Sequence, residues 1–155
     1  MLSRLLITIL TAAAAALVLS ASVHAQKAEY GSAAEAKAML EKTVAAIKAD
    51  KAKALAMINK GEGGFKDRDL YPACSGLDGK VTAHVDQTRL GMDRNTMKDS
   101  KGNPYGVEIM KVAAEGKITE VSYMFPRPGP DKTPVQKVAY VTKVGDQVCL
   151  VGYYK

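Results

Sequence analysis

Histidine is scarce in this sequence, which has two among 155 residues, His24 and His84. A serine or cysteine nucleophile ordinarily needs a histidine base held by a third group, and this scarcity leaves His84 as the main candidate. The sequence also lacks a Gly-x-Ser-x-Gly elbow, a His-Glu-x-x-His pair and a glycine-rich phosphate loop. We therefore expect a protein that is not an enzyme and that needs no cofactor.

The sequence also lacks a dense block of lysine and arginine. Its 22 basic residues exceed its 16 acidic ones, but they are dispersed along the chain. No basic stripe interleaved with aromatic residues occurs, so we expect no binding to nucleic acid. A mild excess of positive charge suits an anionic small molecule better.

No apolar run reaches the roughly 20 residues that a membrane-spanning helix needs. The longest run, Leu5–Leu19, follows Arg4 and precedes the small-residue pattern Val23-His24-Ala25. This arrangement is typical of a secretory signal peptide. It predicts a signal peptide over residues 1–25, cleavage after Ala25, and a periplasmic or secreted product that does not itself span a membrane; an uncleaved N-terminal anchor is the alternative.

The mature chain, residues 26–155, has the length of a single domain with a real core. Its two cysteines, Cys74 and Cys149, would meet in an oxidising compartment, where a disulfide is the expected state. The alternative is a zinc site formed by both cysteines and His84. Because nothing in the spacing favours zinc, we expect the disulfide and no metal.

The region after the signal peptide has the composition of helix. Residues 32–58 are rich in Ala, Lys, Glu, Met and Leu. Ser32 followed by Glu35 predicts a capping box at the start of a helix, and Asp50 predicts a second start. The pattern therefore indicates two helices, or one bent helix, ending at the glycine cluster that begins at Gly61.

Beyond the glycines, short segments of β-branched and aromatic residues alternate with turn residues, which is typical of strands. Asp78-Gly79 predicts a hairpin turn between the first two. Five strands are expected, over "DLYPACS", "KVTAHV", "KITEVSYMF", "PVQKVAYVTKV" and "DQVCLVGYY". "PYGVEIMKVAAEG" predicts a helix between the second and third strands. The fold class is α+β: an antiparallel five-stranded, PAS-like sheet with N-terminal helices and a crossover helix.

The third and fourth strands bring polar side chains together in a way that depends on their register. If odd positions pair with odd, Tyr123 and Lys137 project from the same face; a slip by one residue would join Tyr123 to Tyr140 instead. A phenol and an ammonium side by side suit a carboxylate, because both donate hydrogen bonds to its oxygens. The alternative is that Lys137 faces solvent while Tyr123 packs in the core.

The order of the motifs resembles the single Cache domain, an extracellular small-molecule sensor. The resemblance is carried by "DLYPACSGLDGKVTAH", "LGM", "KDSKGNPYG", "VSYMFPRPG", "KVAYV" and "VGYYK", which together span nearly the whole mature chain. It implies a single domain over residues 26–155 with a ligand pocket on one sheet face, roofed by the crossover. The implied ligand is a carboxylate or an amino acid, and the candidate binding residues are Tyr123, Lys137, His84, Tyr140 and Arg127.

Several of these residues also admit a purely structural role. His84 ends the second strand and can serve as a hydrogen-bonding residue there. Arg127 can guard the pocket mouth or lie solvated in its loop. Asp99 and Gly102 are best explained as a turn, and Arg68, between two aspartates, as part of a surface charge cluster.

The sequence departs from the family in lacking both a tryptophan before Tyr123 and a second hydrophobic span. We expect a periplasmic, non-enzymatic module that binds a small organic anion and acts through a separate membrane-bound signalling protein. The alternative is a structural or interaction protein that keeps the fold without a functional pocket.

Overall fold

The computed structural model describes residues 28–155. Its elements are α1 (Ala33–Ala49), α2 (Lys51–Lys60), β1 (Pro72–Gly76), β2 (Val81–His84), two 3₁₀ helices (Gln87–Arg89 and Arg94–Thr96), α3 (Tyr105–Val112), β3 (Thr119–Pro126), β4 (Pro134–Val144) and β5 (Gln147–Tyr154). The predicted signal peptide and its cleavage site lie outside the described residues and stay predictions. Within residues 28–155, no helix is long and apolar enough to cross a membrane.

Both N-terminal helices begin where their capping residues predict. The Ser32 hydroxyl accepts from the backbone N–H of Glu35, and the Glu35 carboxylate accepts from the backbone N–H of Ser32, which completes the capping box. The Asp50 carboxylate accepts from the N–H of Lys53 at 3.0 Å and starts α2 as a separate helix. α2 ends at Gly61, whose φ of 67° is left-handed and therefore favours glycine.

The strands form one antiparallel sheet in the order β2-β1-β5-β4-β3. β1 and β2 form a hairpin through the predicted turn, where Gly79 has a φ of 85°. α3 lies in the crossover between β2 and β3, so the predicted α+β, PAS-like fold is confirmed. β5, the last strand in the sequence, lies at the centre of the sheet.

Side chains alternate between the two faces of the sheet and build two separate cores. One face, called here the helix face, packs against α1 and α2 through residues such as Leu40, Ile58 and Val151. The other, called the crossover face, packs against α3 through residues such as Ile109 and Leu150.

Cys74 and Cys149 are directly opposite each other on β1 and β5 and form a buried disulfide. The bond lies in the core of the helix face. His84 is opposite Ala73 in the β1–β2 pairing and projects from the crossover face, away from both sulfurs. The zinc alternative is therefore not supported by the arrangement of these three side chains.

Replacing both cysteines by alanine should lower the free energy of unfolding by about 4 kcal/mol. The reason is loop-closure entropy, since the bond joins residues 75 apart in sequence and so restricts the unfolded chain. Urea unfolding of the oxidised protein, the reduced protein and the double variant measures this loss. The reduced protein should resemble the variant; equal stability of all three would contradict the expected role of the bond.

Candidate anion-binding site

A small cavity lies on the crossover face, between the sheet and the crossover that roofs it. Its volume is about 30 Å³, and it adjoins a wider outer cavity of about 130 Å³ that shares Tyr71, His84, Arg89 and Phe125 with it. The inner cavity is lined by Tyr71, Ala73, Val81, His84, Arg89, Arg94, Met97, Tyr105, Tyr123, Phe125, Lys137 and Leu150. Its lining contains cations, phenols, a histidine and apolar side chains, with no Asp or Glu.

The strand register places Lys137 on this cavity. Tyr123 on β3 pairs directly with Lys137 on β4, so the odd-with-odd alternative is the one that the structure adopts. Gly152 on β5 makes room for the lysine, because a Cβ there would lie only 2.4 Å from Lys137 Cε. The lysine stem therefore crosses β5 over a residue that has no side chain.

Lys137 is only 3% exposed, and its ammonium is held by phenols rather than by a carboxylate. Nζ donates to Tyr71 Oη at 3.2 Å and to Tyr154 Oη at 3.3 Å. It also lies 4.6 Å and 4.7 Å from the centroids of these two rings, a distance at which cation–π attraction contributes. Over the part of the chain that the structure describes, Lys137 forms no ion pair.

Arg94 reaches the same cavity from the crossover. Its 3₁₀ helix is capped by Asp93, and the Arg94 N–H donates to Gly79 O in the β-hairpin turn. Gly106 at the start of α3 packs directly on this helix, where a Cβ would lie 1.7 Å from Arg94 O. The cap, the turn and the close approach of α3 together fix the backbone from which the arginine projects.

The Arg94 side chain is buried, with the residue only 4% exposed. Nε donates to Ser75 Oγ at 2.7 Å, while its two terminal nitrogens bind no acceptor within residues 28–155. Burial lowers the pKa of Arg94, yet a guanidinium stays charged at physiological pH. The cavity is therefore bordered by a buried positive charge with unused hydrogen-bond donors.

His84 presents a neutral ring to the cavity. Its backbone N–H donates to Asn59 Oδ1 at 2.8 Å, and its Nδ1 accepts from the Asp86 N–H at 2.9 Å. Because Nδ1 accepts, the proton of the neutral ring is on Nε2, which is a donor. Burial, with the charges of Arg89 and Lys137, lowers the pKa of His84 to about 4.

Tyr105 and Tyr123 form the apolar wall of the cavity. Their rings stack with centroids 4.2 Å apart and planes 9° from parallel. Burial raises the pKa of both phenols, so both stay protonated at neutral pH. Neither hydroxyl has a hydrogen-bond partner anywhere in residues 28–155, which leaves both able to donate to a ligand.

The boundary between the inner and outer cavities is formed by Arg89 and Phe125. The Arg89 guanidinium lies 5.1 Å from the Phe125 centroid and 3.6 Å from the Asp86 carboxylate. Its charge is thus partly balanced, unlike those of Arg94 and Lys137. Asp86 lines the outer cavity and not the inner one, because β2 ends at His84 and Asp86 caps the following 3₁₀ helix.

Two of the predicted binding residues do not line the inner cavity. Tyr140 projects from the helix face and packs against Tyr153, with ring centroids 5.8 Å apart. This is a correction to its prediction as a pocket residue: strand alternation puts Tyr140 on the face opposite Lys137. Arg127 borders the outer cavity. Its guanidinium is already paired, because Nη1 donates to the Asp69 carboxylate at 2.7 Å.

Asp99 and Arg68, to which the sequence assigned structural roles, make structural contacts. Asp99 accepts from the side-chain amide of Asn103 and from the backbone N–H groups of Met124 in β3, Asn103 and Lys101, which together lower its pKa to about 2. The bond from Met124 fastens the crossover to the sheet. Arg68 does more than join a surface cluster. It has a left-handed φ of 55° and donates to Tyr30 O at 2.8 Å while pairing with Glu35, so it anchors the segment that precedes α1.

The sequence interpretation brought Tyr123, Lys137 and His84 together and missed the four other polar side chains of the lining. Arg89, Arg94 and Tyr105 were missed because the crossover was considered only as a roof, and Tyr71 because it was assigned only to a strand. One signal was available for Arg94. Arg94 is an arginine in a polar loop that precedes an apolar helix. That the loop folds inward is visible only from the contact of Gly106 with Arg94 in the structure.

The five-stranded sheet and the crossover helix define an α+β domain of the PAS-like fold class. The chain belongs to the single Cache domain 2 family, whose model matches residues 10–153. Cache domains are extracellular or periplasmic ligand-sensing modules of chemotaxis and related receptors. No curated protein sequence matches the chain significantly.

Solved structures share this fold. A methyl-accepting chemotaxis protein from Vibrio parahaemolyticus is 20% identical, with a TM-score of 0.64 over 78% of this chain and 86% of that one. A periplasmic sensor domain of a chemotaxis protein is 20% identical, with a TM-score of 0.58 over 77% and 87%. A third, described as showing "carboxylic acid recognition by a Cache chemosensory domain", is 23% identical, with a TM-score of 0.57 over 77% and 85%.

The buried His84 should make stability depend on pH. Its pKa is about 4 in the folded protein and about 6.5 when unfolded. The unfolded chain thus takes up a proton first as the pH falls, and the free energy of unfolding should drop by up to about 3 kcal/mol between pH ~6.5 and pH ~4. Urea unfolding across this range should show the drop in the wild type and a smaller one in His84→Gln. An NMR titration midpoint near 6.5 for His84 would contradict this prediction.

Replacing Arg94 by methionine should stabilise the ligand-free protein. The variant removes an unpaired buried charge at the cost of one hydrogen bond to Ser75, for an expected net gain of about 2 kcal/mol in the free energy of unfolding. Urea unfolding in buffer free of small anions measures this. The control is Lys98→Met, an exposed cation of the same crossover, which should change stability by less than about 0.5 kcal/mol. A less stable Arg94→Met variant would count against the unpaired charge.

Proposed function

We propose that the protein is a non-enzymatic sensor domain that binds a small organic carboxylate in the inner cavity. The observation that carries the proposal is the pair of buried cations, Arg94 and Lys137, which border one cavity without an acidic partner in residues 28–155. An unpaired buried charge is costly, and an anion between the two would compensate it.

The donors of the cavity support a carboxylate in particular. The two terminal nitrogens of Arg94 form the planar fork that binds both oxygens of a carboxylate. Lys137, His84 Nε2 and the phenol of Tyr123 add further donors around it. Each belongs to an element whose position is fixed by the sheet or by the crossover, so the donors converge without a large rearrangement.

An amino acid is a poorer candidate than a carboxylate without an amino group. An α-ammonium group needs acceptors, and the inner cavity is bordered by the cations Arg89, Arg94 and Lys137, with no Asp, Glu, Asn or Gln side chain. Repulsion by these charges would offset the gain from the carboxylate. We therefore narrow the ligand to a small carboxylate that lacks an amino group.

We further propose that the domain acts outside the cytoplasm and signals through a separate membrane protein. The support is the family, whose members sense ligands outside the cytoplasm, and the similarity to chemotaxis sensor domains. The similar Cache chemosensory domain that recognises carboxylic acids supports the ligand class by analogy. The alternative remains a protein that keeps this fold without using the pocket.

Small carboxylates should raise the melting temperature, whereas the matching amino acids should not. At a ligand concentration 100 times Kd, the gain is about 2.7 kcal/mol, or roughly 5 °C or more for a domain of this size. Differential scanning fluorimetry with acetate, propionate, glycolate, pyruvate and malonate, beside glycine and alanine, tests this at constant ionic strength.

The variant Lys137→Met should weaken carboxylate binding by about tenfold to a hundredfold, because it removes a charged donor and keeps the stem. The matched control Lys111→Met, at an exposed position on α3, should bind like the wild type. A flat response of the wild-type protein to all carboxylates, or equal binding by both variants, would favour the alternative of an unused pocket.

A further inference from the structure

We infer that the carboxylate is a compact dicarboxylate of two or three carbons, bound as a dianion between Arg94 and Lys137. This inference rests on the proposed function and goes further, since it assigns the ligand its charge and its size. The inner cavity has two buried cations that lack a counter-charge within the described chain, and one carboxylate group can compensate only one of them.

The first argument is the charge balance of the inner cavity. Arg89 already has Asp86 at 3.6 Å, so it does not require a ligand charge. Lys137 has only the neutral phenols of Tyr71 and Tyr154 as hydrogen-bond acceptors. Arg94 has only Ser75. A monocarboxylate would leave one of these charges unpaired, whereas a dianion would pair both.

The second argument is that the two cations are held by different parts of the fold. Lys137 extends from β4 across β5, above Gly152. Arg94 descends from the crossover and is fastened to β1 through Ser75. The two charges therefore reach one cavity from different elements, Lys137 from β4 and Arg94 from the crossover. This arrangement suits an anionic group at each end of a short ligand.

The third argument is size. A volume of about 30 Å³ corresponds to about two or three waters, since one water needs about 10–15 Å³ by this measure, so it sets an upper limit on ligand length and favours the shortest acids. The ring stack of Tyr105 and Tyr123 and the side chain of Leu150 close the inner wall. A longer dicarboxylate would extend past Arg89 and Phe125 into the outer cavity and meet Asp86 there.

The test uses the isosteric pair malonate and malonamate, which have the same heavy-atom skeleton and differ by one negative charge at neutral pH. Isothermal titration calorimetry at constant ionic strength should give malonate a Kd at least about tenfold lower, as expected for one additional charge-assisted contact. Oxalate should also bind, and succinate, one carbon longer than malonate, should bind more weakly than malonate. Acetate and propionate serve as the monocarboxylate arm.

The variants locate the effect. Arg94→Gln should abolish the preference for malonate over malonamate, and Arg94→Lys should keep most of it because the charge remains. Lys98→Gln is the matched control in the same crossover and should behave as the wild type. Because Arg94→Gln removes an unpaired charge, the variant should fold, and its melting curve verifies this.

The outcomes separate the two proposals. Binding of acetate or propionate as tight as that of malonate overturns the dicarboxylate and leaves the proposed function standing. No binding of any carboxylate overturns both. Tighter binding of sulfate or phosphate than of malonate also overturns the dicarboxylate, because it assigns the cations to an inorganic anion. Retention of the malonate preference in Arg94→Gln overturns the role of Arg94.

Discussion

Buried positive charge without a counter-charge is the constraint on which the rest of this structure depends. Lys137 and Arg94 are almost fully buried beside one cavity, and neither has an acidic partner within residues 28–155. Folding alone gives no reason to keep such charges, because apolar side chains of similar volume would cost less to bury. The neighbouring phenols of Tyr71 and Tyr154 moderate the cost for Lys137 through cation–π contacts without neutralising it.

The architecture around these charges serves to keep them in position without a ligand. Gly152 leaves space for the lysine stem, and Gly106 lets α3 press on the loop that carries Arg94. The Asp86 N–H fixes the tautomer of His84. These contacts hold charged and polar groups in a defined orientation, so the proposed ligand would require little reordering of side chains.

Local signals made most of the fold predictable from the sequence. Ser32, Asp50 and Asp78-Gly79 each mark a boundary through a contact within a few residues, and runs of β-branched and aromatic residues between turns identify the strands. The pairing of Tyr123 with Lys137 was one of two open alternatives, because register depends on contacts between distant strands.

The site was less predictable than the fold. Arg94 reaches the cavity only because a 3₁₀ helix, a hairpin turn and α3 meet, and none of these contacts leaves a local pattern. Tyr140 shows the opposite difficulty. Its neighbours Ala139 and Val141 project from the crossover face, whereas the alternation of the strand puts the Tyr140 ring on the helix face.

The disulfide has a consequence for the cavity although it lies on the other face of the sheet. It ties β1 to β5, and the tyrosines that hold the lysine ammonium, Tyr71 and Tyr154, lie just before β1 and at the end of β5. The disulfide therefore helps to fix the spacing of the two phenols, although it lies on the opposite face of the sheet. Formation of the disulfide would thus help to position these two phenols as well as secure the fold.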